Sequence, residues 1–167
     1  MFGWGKSSKE KSYDELIEIM SSQLKVTCLS FDLDPEDPYL YYFINGITMG
    51  CLLKAGYRAK NLTDKDRSIH IRGIGKIILD LFQTREDKVK SLNFVNNLLG
   101  IRLKASNIGY DYSPLDEEYM SLKLQQINWE EINDKGMNFV GYLFSDRPNI
   151  SGIAIDLYDH LKSISKS

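Results

Sequence analysis

Asp32 and Asp34 stand two residues apart at the end of a short apolar run, in "VTCLSFDLDPEDP", residues 26–38. Such a pair can serve phosphoryl transfer, one carboxylate attacking phosphorus and the other handling the leaving group's proton. With Glu36 added, the same acids have the opening spacing of a calcium-binding loop.

Neither chemistry has the rest of its parts. A dehalogenase-type phosphatase also needs a Ser or Thr for the phosphoryl group, a Lys, and further acids for magnesium, set at the ends of parallel strands. Only Ser145, in "VGYLFSDRPN", follows an apolar run suitably, and no Lys and acidic pair comes after it at a strand end. For calcium, Pro35 breaks the loop, Asp37 stands where the sixth position needs Gly, and Phe43 where the twelfth needs Glu. The stretch reads as an acidic, proline-bounded turn. Its apolar half, Cys28 and Leu29, is assigned to the core, and Asp37 to the cap of a helix beginning at Pro38.

Other chemistry-bearing residues are scattered. His70 and His160 have no Cys or second His at ligand spacing, so no metal site is expected, and His160 reads as a surface residue. His70 lacks a nucleophile motif beside it. "GIGK", residues 73–76, lacks the spacing of a phosphate loop, and its glycines read as sites of close helix packing. No catalytic, cofactor-binding or metal residue is assigned, and no cofactor.

The elements around these residues are mainly helical. Ser12 and Glu15 offer a capping box, followed by Tyr13, Leu16, Ile17, Met20 and Leu24 at helical spacing. Residues 25–34 and 67–72 alternate enough for one or two short strands. Residues 38–56 are apolar nearly all round, which marks a central buried helix, and Gly46 and Gly50 on one face admit a close backbone. Ile74 to Phe82 cycle as a helix. Thr84 with Asp87 opens the next, which Gly100 closes. Ser113 with Pro114, and Asn128 with Glu131, open two more. "SDRPN" turns the chain into a last helix bearing Ile150, Ile153, Leu157, Leu161 and Ile164. The expected fold is mainly α: a single compact domain of six or seven helices over residues 12–167, after a flexible segment at 1–11.

Composition agrees. The 167 residues are 43% hydrophobic and 26% charged, which suits one globular domain. A net charge of -2 and a pI of about 5.7 argue against a nucleic-acid face. Cys28 and Cys51 read as buried thiols of a reducing compartment. "MFGWGKSSKEK" lacks the apolar core of a signal peptide, and "YLYYFINGITMGCLL" is too short to span a bilayer, so the protein is expected to be cytoplasmic.

Two segments are binding candidates. Phe2 and Trp4 stand among Lys6, Lys9 and Lys11, suited to a partner groove or a membrane surface. Tyr110, Tyr112, Leu115 and Tyr119 mix aromatic, aliphatic and acidic groups around a helix start, a composition that favours protein partners.

"YDYSPLDEEYM", within the second segment, resembles the C-terminal end of the IcmS-type adaptors of type IVB (Dot/Icm) secretion systems. "GIGKIILDL" and "VKSLNFVNNLL" are similar to that family in the same order, and "MGCLLKAGY" is similar to one of its helices. The likeness spans about residues 13–120; two more helices follow the motif, and the "DLDPEDP" turn has no counterpart. The resemblance implies a non-enzymatic cytosolic adaptor, hetero-oligomeric, that pairs with a sister adaptor, binds secretion substrates and docks on a coupling ATPase. Expectations from the residues and the resemblance converge on a protein-binding adaptor or secretion chaperone. The alternatives are an immunity protein that neutralises a toxin and, from another class, a phosphatase using Asp32 and Asp34.

Overall fold

Pro38 fixes the entry of the helix that organises the molecule. Pro lacks an N–H and presets the helical φ, and Asp37 before it accepts the Tyr39 N–H at 3.1 Å. In the computed structural model, which describes residues 5–144 and 150–165, this helix runs Pro38–Lys54 and is α2. Leu40, Tyr41, Phe43, Ile44, Ile47 and Cys51 on it are fully enclosed. The other helices are α1 (Ser8–Cys28), α3 (Asp64–Leu81), α4 (Arg85–Leu99), α5 (Glu117–Leu124), α6 (Trp129–Leu143) and α7 (Ile150–Ile164). Short 3-10 turns occupy Ala59–Asn61 and Ser106–Ile108.

The fold is all α, with seven helices and no strand among the described residues. α2 packs most extensively on α6; α1 and α3 pack on each other and on α2. α4 lies on α3, and α7 on α6 and α1. Gly46 and Gly50 face α6 as their spacing suggests, against Gly136 and Val140. Gly73 takes the Tyr13 ring, and Gly75 the Leu103 side chain, so the "GIGK" glycines admit close neighbours.

Four local expectations are corrected. The alternation at 67–72 is not a strand: a Thr63–Asp66 capping box starts α3 upstream, and Ile69 then continues onto the Gly73, Ile74 and Ile77 face. Nor do residues 25–34 hold a strand, because Cys28 extends the Met20 and Leu24 stripe to the end of α1, and a turn follows. α1 begins at Ser8, ahead of the Ser12 box, capped by Ser7. Residues 8–11 are therefore helical, and buried Glu10 meets Arg72 at 3.1 Å. α5 begins at Glu117 under Asp116 rather than under Ser113 and Pro114, because α4 holds the Ser113 backbone.

Thr84 caps α4, Gly100 closes it with φ 65°, and Asn128 accepts the Glu131 N–H. The "SDRPN" turn, Ser145 and the Phe2 and Trp4 pair lie outside the described residues.

Candidate functional site

α1 stops at Cys28, and the chain turns outward before re-entering at Asp37. The Phe31 N–H bonds back to the Cys28 carbonyl at 3.0 Å, and the Glu36 N–H to Asp34 Oδ1 at 2.9 Å. These bonds make the acidic stretch a turn, as its prolines suggest. Leu29 leaves the core altogether. It is 76% exposed, and Val26, one turn back on α1, is 70% exposed. The core assignment of Leu29 is thus corrected: one residue past Cys28, it lies on the exposed Val26 side of the helix and not on the buried Leu24–Cys28 stripe.

Beside this ridge opens a cleft of about 250 Å³ between the end of α1 and the α3–α4 junction. Cys28, Leu29, Phe31, Leu33, Leu81 and Phe82 make its apolar wall. A second depression of about 420 Å³ adjoins it, sharing Asp32, Leu33 and Asp87 and adding Asp34. Asp34 leans toward Lys123 at 3.7 Å, whereas Asp32 and Asp87 have no ion pair among the described residues. Lys25 lines the first cleft. The surface is thus apolar at its centre and mainly acidic at its rim.

The Cys28 thiol in the wall is pushed up to about 12 by burial, with a further rise from the Asp37 carboxylate. It is protonated at neutral pH and packs as an apolar group rather than as a nucleophile or ligand. The arrangement suits a large apolar side chain flanked by cations.

Elsewhere the polar groups serve the fold. Burial lowers the His70 pKa to about 4, and Nε2 is 2.8 Å from Thr48 Oγ1, so this imidazole is neutral and occupied. His160 is not a plain surface residue. It stacks on Tyr39 with 4.0 Å between ring centroids, and its Nε2 is 2.9 Å from Asp37 Oδ2, joining α7 to the start of α2. Periodicity could not show this, because the partner lies across the fold.

The Tyr-rich segment is laid along α4 by three asparagines. Asn96 takes the Leu103 N–H at 2.8 Å and donates to the Tyr110 hydroxyl at 2.6 Å. Asn93 accepts the Ser113 N–H, and Asn97 the Leu115 N–H and the Tyr112 hydroxyl. Tyr110 is buried and Leu115 partly buried. Tyr119 donates to Glu36 at 3.0 Å, linking the segment to the acidic turn. Tyr112 keeps an exposed face, covered in part by the Arg102 guanidinium at 4.1 Å. The ridge of Val26 and Leu29 is what sequence reasoning missed. The clue was helical spacing, since Val26 and Leu29 stand three apart and off the face that Met20, Leu24 and Cys28 share.

Among the described residues no group of His, Cys, Asp and Glu could hold a metal, and no helix is long and apolar enough to cross a membrane. In comparisons with known proteins, no family model, curated protein or solved structure matches this chain.

Proposed function

We propose that this protein is a non-enzymatic, protein-binding adaptor that docks partners on the end of α1 and the cleft beside it. One observation carries the reading: Val26 and Leu29 are 70% and 76% exposed beside an apolar cleft with an acidic rim. Exposed large apolar residues at the mouth of an apolar depression mark interaction sites. Covering each of the two side chains contributes about 1.5–3 kcal/mol to binding before ordering costs. The occupant is a segment of a partner protein that presents an apolar side chain to Phe31 and Leu33 and a Lys or Arg to Asp32 and Asp87. The similarity of "YDYSPLDEEYM" to IcmS-type adaptors supports the more specific form, a cytoplasmic secretion adaptor whose partners include secretion substrates.

The test places a photo-cross-linking residue at Leu29 and, as a control, at exposed Arg67 on α3, in the native cell. A protein captured from Leu29 but not from Arg67, through a segment bearing Lys or Arg beside an apolar residue, supports the proposal. Its capture from Leu29 should fall at least tenfold when the chain also carries Asp32→Lys. Equal capture from both positions overturns the docking face. Magnesium-dependent hydrolysis of a phosphate ester that Asp32→Asn abolishes overturns the adaptor reading itself.

A further inference from the structure

On another part of the molecule, residues 101–105 cross the outer side of α3 with no strand beside them. Their exposure alternates as in a strand: Arg102 and Lys104 are exposed, while Leu103 and Ala105 are buried. The backbone bonds alternate too. The Leu103 N–H goes to Asn96, and the Ala105 carbonyl accepts from Ile108 and Tyr110. The Ile101 carbonyl is taken by the Arg102 side chain. All three used residues are odd-numbered. In an extended chain the even-numbered peptide groups point the other way. The N–H and C=O groups of Arg102 and Lys104 form no hydrogen bond among the described residues.

Beside this segment runs an open groove of about 530 Å³. Its apolar floor is Ile71, Leu79 and Leu103, the last seated against Gly75. Its charged lining is Arg72, Lys76, Arg102 and Lys104, with no carboxylate. Arg72 is engaged by Glu10 and Asp14, and Lys76 by Glu18 and Asp80. Arg102 meets the Tyr112 ring and the Ile101 carbonyl, and neither it nor Lys104 has an ion pair among the described residues. The two free charges therefore sit on the residues whose backbone is also free.

We propose that this groove binds an extended acidic segment of a partner protein by strand addition along Arg102–Lys104. Two backbone donors and two acceptors fix the register. Alternate carboxylates of the ligand meet Arg102 and Lys104, and the apolar residues between them rest on Leu103 and Ile71. Because this face is separate from the α1 cleft, the molecule can hold an acidic segment here and a basic one there.

The test uses the full chain and a synthetic probe, acetyl-Glu-Val-Glu-Val-Glu-amide, followed by amide NMR and hydrogen exchange. Saturable binding should slow exchange at the Arg102 and Lys104 amides. The same peptide N-methylated at all five residues keeps its charge but loses strand pairing in either direction, so it should bind at least tenfold more weakly. Arg102→Glu with Lys104→Glu should weaken the parent peptide by a similar factor. Val26→Asp with Leu29→Asp should leave it unchanged, which separates this site from the α1 face. Equal binding of the methylated peptide, or shifts centred away from 101–105, overturns the proposal. So does protection of those two amides in the protein alone through self-association.

Discussion

Gly46 of α2 and Gly136 of α6 meet Cα to Cα: a Cβ on either glycine would lie 3.0 Å from the other's Cα and overlap the facing backbone carbonyl. Beside them the Asn45 amide donates to Asn133 at 2.8 Å, tying the same crossing. Two helices approach this closely only where neither has a side chain at the contact.

Gly136→Ala should therefore destabilise the protein by about 3 kcal/mol, at the upper end of overpacking costs. Gly141, on the same helix with open space around it, is the control. Gly141→Ala should be neutral or stabilising by up to about 1 kcal/mol, since Ala is the better helix former. Urea unfolding of both variants measures the contrast. Equal effects would show that the crossing is not tight.

Asn96→Ala should cost about 2–3 kcal/mol, because it strips the buried Leu103 N–H of its acceptor and leaves the Tyr110 hydroxyl only its bond to Asn93. The loss should be local first. Hydrogen exchange at Leu103 should rise more than exchange in α2, which reports whether Asn96 holds the 101–105 segment in place.

His70 makes stability depend on pH. Its folded pKa is lowered to about 4 from 6.5 by burial, so the unfolded chain takes up a proton that the folded chain refuses. Stability is complete above about pH 6.5 and falls as pH drops toward 4, by at most about 3 kcal/mol. His70→Gln should flatten the curve between pH 7 and 4.5 in urea melts. An unchanged slope would assign the acid sensitivity to other groups. Asp14 and Asp80, whose pKa values are lowered despite burial by hydrogen bonds from Lys6 and Arg72 and from Ser21 and Lys76, lose their stabilisation only below that window.

Asp37 has two tasks, one oxygen capping α2 and the other facing His160. Asp37→Ala should cost about 1 kcal/mol for the lost cap and more for the lost clasp to α7. A double-mutant cycle with His160→Ala isolates the second part, with an expected coupling of about 0.5–1 kcal/mol. Zero coupling would leave α7 held by its other contacts, among them buried Leu157 and Leu161, the Phe31–Tyr158 ring contact and the Lys135–Asp156 ion pair.

Most of the helical framework was legible in the residues. The all-round apolar character of 38–56, whose helix ends at Lys54, the Asp37–Pro38 start, the Thr84 cap and the Gly100 stop are local signals, and each start and stop appears where its chemistry placed it. The spacing of Gly46 and Gly50 also carried the idea of a close crossing, without showing that Gly136 is the opposite half. The misread starts, at Ser12 and Ser113, were sound caps outcompeted by others. Ser7 wins because Glu10 finds Arg72 across the fold, and Asp116 because Asn93 and Asn97 hold the Ser113 backbone.

The functional surfaces were far less legible. Leu29 beside Cys28 looks like a core residue until α1 runs on through Cys28 and puts it on the exposed Val26 face. Asn93, Asn96 and Asn97 look like an ordinary polar helix face until residues 101–115 are laid across them. By itself the sequence determined the helical class, most of the helix boundaries and the acidic turn, because propensity, capping and hydrophobic periodicity act over a few residues. Only the tertiary structure decided which apolar side chains stay outside and which backbone groups stay unpaired, since both depend on neighbours brought together from distant parts of the chain.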